Sequence, residues 1–232
     1  MHLYAARRVG LLAVRTTVGR FGEDSAVIVD RYDRVIRDDR IVRVHQEDLC
    51  QALGVPPSRK YQNEGGPSPR DIAGLLRRAM PPRVADSAVW RFADALIWNW
   101  FVAGTDAHAK NYSILLAVNQ VRLAPMYDVA SALPYGTHEN KLRLAMKIGG
   151  DYRVHPDRNT WPAAAKDLGI DPDRLVARVQ EVGSVITDSF VEAAKAPLVR
   201  ALQRPLPDTL VDLISERASR CMRVVGADAR AV

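Results

Sequence analysis

The sequence predicts an α+β fold, mainly α, with a β-rich front and a helical remainder. Three observations predict it. β-branched runs broken by turn residues occupy 14–30. Apolar residues recur at three- and four-residue spacing over 84–103, and helix-opening Ser-Pro and Asp-Pro pairs stand at 68–69 and 171–172. A short pair of β-rich runs at 112–123 is the one clear interruption of the helical pattern.

Residues 3–9 read as the tail of a helix ending near Gly10. Val14–Val18 and Ala26–Asp30 read as strands joined through Phe21-Gly22-Glu23-Asp24. Ile41–Val44 is a further short strand, and Glu47–Leu53 a short helix stopped by Gly54 and Pro56-Pro57. Residues 54–68 form a loop long enough to suggest function or disorder. Ser68 caps a helix with Pro69 at its first position, which runs to about Met80. Val84–Ala103 is a longer helix whose Trp90, Ala93, Ile97, Trp98 and Phe101 share a face. That periodic tryptophan stripe reads as core packing that holds the following loop. Tyr112–Val118 and Val121–Leu123 form a strand pair, and the stretch to Asn140 reads as irregular. The rest reads as helical: one helix opens at Thr160, another runs from Asp171-Pro172 to about Lys195, and the last reaches about Val225.

With 47% apolar and 26% charged residues, the chain can bury a core. The net charge of +6 is mostly scattered arginine. Without clustered basic runs interleaved with aromatics, it argues for a solvated surface over nucleic-acid recognition. Cys50 and Cys221 match no metal spacing and read as reduced thiols of a cytoplasmic protein. Asp86, Arg91 and Asp94 interrupt the most apolar helical window, which excludes an ordinary membrane span.

The chemistry is concentrated in Gly-Thr-Asp-Ala-His-Ala-Lys-Asn, residues 104–111, and in Asp128 beyond the strand pair. An acid, an Asn five positions later and a second acid after a returning hairpin bring three oxygen donors toward one point. That layout suits phosphoryl transfer, in which Asp106 accepts a proton from a hydroxyl and Asn111 and Asp128 hold magnesium. His108 either steadies this loop or neutralises phosphate charge, and Lys110 is either a phosphate contact or solvent-facing. The competing reading of all these residues is turn and capping chemistry, which Asp and Asn also favour. Val27–Val29 run into Asp30-Arg31-Tyr32, where an apolar strand ends abruptly; this is either an adenine-binding hinge with Tyr32 over the base or an ordinary strand end.

Val-Asp-Arg-Tyr-Asp-Arg (29–34), His-Gln-Glu-Asp-Leu-Cys-Gln-Ala-Leu-Gly (45–54), Lys-Tyr-Gln-Asn-Glu-Gly-Gly-Pro-Ser (60–68), the 104–113 segment, Leu-Ala-Pro-Met-Tyr-Asp-Val-Ala-Ser-Ala (123–132) and Leu-Ala-Met-Lys-Ile-Gly-Gly (144–150) follow in this order. Over about residues 1–195 the chain resembles the HipA family of serine/threonine protein kinases, toxins of bacterial toxin–antitoxin pairs. The resemblance implies a kinase-like C-lobe at 35–232, with 1–34 a remnant of the N-lobe sheet and hinge. It implies ATP and Mg2+ as cofactors, Asp106 as catalytic base with His108 beside it, and Asn111 and Asp128 as metal ligands. Asp30, Tyr32 and Lys110 fall on the nucleotide side. Implied partners are a protein substrate of the aminoacyl-tRNA synthetase type and a helix-turn-helix antitoxin, with DNA reached only through that antitoxin. Family members also carry an upstream Gly-rich phosphate loop and a strand lysine with its helix glutamate. No lysine precedes Lys60 here. The expectation is therefore a truncated form with a weakened phosphate clamp, or else a non-catalytic remnant or antitoxin-binding module. Front strands lacking the rest of their sheet are expected to expose apolar surface.

Overall fold

The computed structural model describes residues 1–155 and 157–226. The last six residues of the expected 35–232 lobe lie outside the described residues.

Two long helices carry the core. Helix α4 (Pro82–Phe101) buries Phe92, Ile97, Trp98, Trp100 and Phe101. Helix α6 (Pro172–Lys195) starts at Asp171, whose carboxylate accepts from the Arg174 amide at 2.8 Å. The Trp98 ring stacks on Phe190 of α6 at 5.7 Å, and Trp100 meets Trp161 edge-on at 5.4 Å. The stripe is thus packing, apart from half-buried Trp90, which lies under the Arg174 guanidinium at 5.0 Å.

Around this pair sit α1 (His2–Arg8), α2 (Leu49–Ala52), α3 (Pro69–Ala79), α5 (Thr160–Leu168), α7 (Pro197–Arg200) and α8 (Leu206–Val225). Helix α3 opens with a reciprocal capping box between Ser68 and Asp71, which stabilises it by roughly 1 kcal/mol.

Among the described residues, nine short strands form four antiparallel groups. β1 (Thr16–Phe21) pairs with β2 (Asp24–Val29), turning at Gly22-Glu23. β3 (Arg34–Arg37) pairs with β4 (Arg40–Arg43). β5 (His45–Asp48), β6 (Ser113–Ala117) and β7 (Gln120–Leu123) form a three-stranded sheet in which β5 meets β6 and β6 meets β7. β8 (Arg143–Ile148) pairs with β9 (Asp151–Arg153).

The expected helix at Glu47–Leu53 is corrected. Its first residues belong to β5, and helix begins only at Leu49, with Asp48 as its cap. The 140–155 region is also corrected, from helical to a hairpin that buries Leu144, Ala145 and Met146. The two front hairpins lie largely outside the core: Val27, Ile36 and Ile41 are 69%, 78% and 74% exposed.

Candidate functional site

The loop 104–111 is launched by α4 and clasped at its base by Asn99. The Asn99 amide donates to Ala95 O at 3.0 Å and to the Tyr112 hydroxyl at 3.1 Å. One buried side chain therefore joins the helix to the residue that closes the loop. Gly104 donates to Asn99 O at 2.7 Å. A Cβ at position 104 would lie 2.3 Å from Asn99 Oδ1, so the glycine is required by close approach.

Within the loop, Asp106 and Asn111 are joined through the backbone. Asn111 Nδ2 donates to Asp106 O at 2.9 Å, and the His108 amide reaches the same oxygen at 2.8 Å. Asn111 is largely buried, and its carboxamide oxygen accepts no hydrogen bond among the described residues while keeping contact with solvent. The Asp106 side chain is 67% exposed. Its Oδ1 accepts from the Tyr61 hydroxyl at 2.5 Å, and this bond is the main cause that pushes the phenol up to about 12.

Tyr61 belongs to the 54–68 segment, which is ordered by two short turns at Pro57–Arg59 and Gln62–Glu64. Lys60 O accepts from the Ala109 amide at 3.2 Å, so this segment is pinned to the Asp106 loop.

His108 is buried behind this surface. Its Nε2 lies 3.9 Å from Asp106 Oδ1, and the Tyr61 ring meets it edge-on at 5.1 Å. Burial, then the Lys60 charge, lower its pKa against opposing pulls from Asp106 and Asp128. The imidazole is accordingly neutral at pH 7, and its Nδ1 is buried without a partner. The segment carrying Asp128 is tied back to the loop where Ala132 N donates to Ala103 O at 3.1 Å.

Asp128 is exposed and takes a left-handed backbone conformation, φ +53°, unusual for a non-glycine residue. Beside it, the Tyr127 hydroxyl donates to Lys110 O at 2.8 Å and meets Ser113 Oγ at 2.6 Å. Lys110 itself is turned to Asp48, with Nζ 2.7 Å from Oδ2.

A cleft of about 560 Å³ opens next to Asp128, lined by Leu3, Val27, Val29, Tyr32 and Gln46 among others. The Tyr32 ring lies 5.8 Å from Tyr127. Asp30 sits between two lining residues but is itself exposed, with its amide bound to Arg15 O at 3.0 Å. The structure therefore groups Asp106, His108 and Asn111 in one turn, with Asp128 on a segment tied back to that loop through Ala132 and Ala103. Tyr32 and Asp128 share the cleft, and Lys110 faces a carboxylate.

Three residues lie in the segments that carry the family resemblance, but the sequence assigned them no role. Asp33 is buried and holds Arg31 and Arg34, anchoring the strand end beside the cleft. Gln46 carries a buried, unpartnered Oε1 at the cleft wall. Tyr61 caps Asp106. The flanking arginines signalled Asp33, and the resemblance places Gln46 and the loop carrying Tyr61 near the cleft without a role.

Among the described residues no three His, Cys, Asp or Glu side chains gather as a metal cage. The donors present, one exposed carboxylate and one carboxamide oxygen free of hydrogen bonds, are hard oxygens. They fit magnesium, which draws most of its ligands from phosphate and water.

The HipA-like C-terminal domain model matches residues 1–190. The chain belongs to the HipA-like C-terminal domain family. A relative named as a kinase, Y4mE of Sinorhizobium fredii, is 40% identical over 169 residues, covering 72% of this HipA-like chain and 38% of the relative. The serine/threonine-protein kinase toxin HipA of Shewanella oneidensis is 27% identical, covering 95% of the chain and 53% of the relative. The chain thus spans about half, or less, of the length of these curated relatives. Among solved structures, HipA from the Shewanella oneidensis HipA–HipB–operator DNA complex superposes with TM-score 0.83 at 23% identity, covering all of this chain and 56% of that one. The Helicobacter pylori proinflammatory kinase CtkA superposes with TM-score 0.65 at 15% identity, covering 98% and 80%. The fold is therefore kinase-like. No helix among the described residues is long and apolar enough to cross a membrane.

Proposed function

We propose that this chain is the helical lobe of a HipA-type serine/threonine protein kinase acting in the cytoplasm, with residues 1–34 forming the hinge and part of the N-lobe sheet and 35 onward the C-lobe. Asp106 orients an acceptor serine hydroxyl and takes its proton. Asn111 and Asp128 hold Mg2+ by their side-chain oxygens, Tyr32 and Asp30 border the adenine, and His108 stays neutral behind the loop. Lys110 steadies the loop through Asp48 and stands at the edge of the phosphate region. ATP with Mg2+ supplies the phosphoryl group and neutralises its developing charge when bound.

The observation that carries this reading is the division of labour on Asn111. Its nitrogen is committed to the Asp106 carbonyl, while its oxygen takes no bond beside an exposed carboxylate. A helix-turn-helix antitoxin is the proposed regulatory partner, reaching DNA on the chain's behalf, and an aminoacyl-tRNA synthetase-type protein is the proposed substrate class.

The test is phosphorylation of protein from γ-labelled ATP and Mg2+. Asp106→Ala lowers it by ~10²-fold or more, the usual contribution of a general base. Asp128→Ala removes the magnesium dependence of nucleotide binding. Phosphorylation that survives Asp106→Ala refutes the assignment of the base.

The exposed apolar faces of the front hairpins favour a second reading, in which the chain acts as a docking module and performs no transfer. Nucleotide-independent binding of an antitoxin, with no phosphorylation under any condition, would select it.

A further inference from the structure

Helix α8 brings a fully buried arginine to the end of α4. Arg217 Nε donates to Trp100 O at 3.1 Å and to Phe101 O at 3.0 Å. Its Nη2 donates to Trp100 O at 2.7 Å and to Val154 O at 2.6 Å, and Nη1 pairs with Glu139. Glu139 is held from the other side by Arg220.

The helix carbonyls it binds are among those that every α-helix leaves without intrahelical partners. They also lie at the negative end of the α4 dipole, where a cation is favoured. A guanidinium suits the place because its five donors lie in one rigid fork, whereas an ammonium is a point charge on a flexible stem.

The placement gives the clamp its reach. Phe101 stands five residues before Asp106, and Ala103, between them, adopts φ +50° and accepts from Ala132 of the Asp128 segment. Val154 and Glu139 flank the β8–β9 hairpin, whose Lys147 amide donates to Gln62 Oε1 at 2.7 Å, next to Tyr61. One side chain thus fixes the helix end that launches Asp106 and both ends of the hairpin that backs Tyr61. The family match ends at residue 190, so Arg217 lies beyond it.

We propose that Arg217 is a positioning residue for the Asp106 carboxylate, acting through the end of α4, and that α8 is therefore part of the phosphoryl-transfer unit. The proposal rests on the assignment of Asp106 as base, but its test needs no nucleotide. The Tyr61 hydroxyl bonded to Asp106 serves as the reporter.

The full chain is labelled with [13Cζ]-tyrosine, the Tyr61 resonance is assigned by its loss in Tyr61→Phe, and amide exchange is followed in parallel. In Arg217→Lys, exchange over 102–112 accelerates by about 10-fold or more while α3 keeps its protection, as expected for a local opening. The Tyr61 resonance moves in the direction seen in Asp106→Asn. Glu139→Gln, which leaves the fork in place, gives a smaller change of the same sign and decides the matter if Arg217→Lys does not fold. Unchanged exchange, acceleration spread uniformly over the chain, or accelerated exchange with an unmoved Tyr61 resonance overturns the proposal. Failure of the base assignment shows up separately, as phosphorylation that survives Asp106→Ala.

Discussion

Gly104→Ala is the perturbation that most directly tests how the loop is built. The new methyl carbon would lie 2.3 Å from Asn99 Oδ1, 3.1 Å from its Cγ and 3.3 Å from its Cβ. All three atoms belong to one side chain, and that side chain is buried, so it cannot swing into solvent. If Asn99 turns away, it releases Ala95 O and the Tyr112 hydroxyl, the latter on a residue only 6% exposed. Two net hydrogen bonds at about 1 kcal/mol each, plus a buried group left partly unsatisfied, put the cost at about 2–3 kcal/mol. For a chain of this size that lowers the melting midpoint by about 4–12 °C. The assay is thermal or urea unfolding of a double-mutant cycle with Asn99→Ala. Once Asn99 is truncated, the two nearest atoms are gone and only its Cβ, 3.3 Å away, remains, so the Gly104→Ala penalty shrinks to a fraction of its size in the parent. A Gly104→Ala penalty that is the same in both backgrounds refutes the argument.

Further outcomes follow from the titrating groups and the surface. Tyr61, pushed up to about 12 chiefly by its bond to Asp106, contributes stability that is present below the ordinary phenol range and lost as pH rises through 12. Asp106→Asn brings its midpoint back toward ~10, read from the labelled tyrosine spectrum. Burial lowers His2 to about 3 and also lowers His108 from 6.5, so protons bind preferentially to the unfolded chain. Stability therefore falls as pH drops below 6.5 toward 3, and His2→Phe flattens that slope in urea titrations at stepped pH. Replacing Val27, Ile36 and Ile41 together with Thr leaves the unfolding midpoint within about 1 kcal/mol of the parent, since all three are mostly exposed, and reduces self-association in sedimentation runs.

The helices were legible where their signals are local. Ser68-Pro69 and Asp171-Pro172 carry the cap and the first helical residue together, and both helices start there. The run ending at Phe101 was legible because its apolar face repeats with the helical period. β5 was not legible. His45-Gln46-Glu47-Asp48 is wholly polar and becomes a strand only because it pairs with β6, nearly seventy residues on. β8 was missed for the opposite reason: Leu144, Ala145 and Met146 are all buried, so no alternation marks them as strand. At the site, the bond that joins Asn111 to the Asp106 carbonyl lies inside one loop, within reach of the spacing. Tyr61 could not be read in this way, because its contact with Asp106 spans 45 residues and leaves no periodic trace. Nor could the pairing of Lys110 with Asp48 be read, because Asp48 is placed by the same long-range sheet.

An Asp followed five positions later by Asn is a weak pattern, because both residues form turns readily. The two readings engage different atoms of the same residues. Asn111 spends its nitrogen on the Asp106 carbonyl and so closes the turn, as the plain reading expects. Its oxygen takes no part in that turn and is left as a hard donor. Asp106 does the same with its two ends: the backbone carbonyl accepts from Asn111 and His108, while the carboxylate stands outward at 67% exposure, met by a phenol hydroxyl. A loop stabilised only as a turn would have no need to hold a carboxylate outward or to leave a carboxamide oxygen free of hydrogen bonds. That unmet acceptor is the physical reason to read the loop as a site.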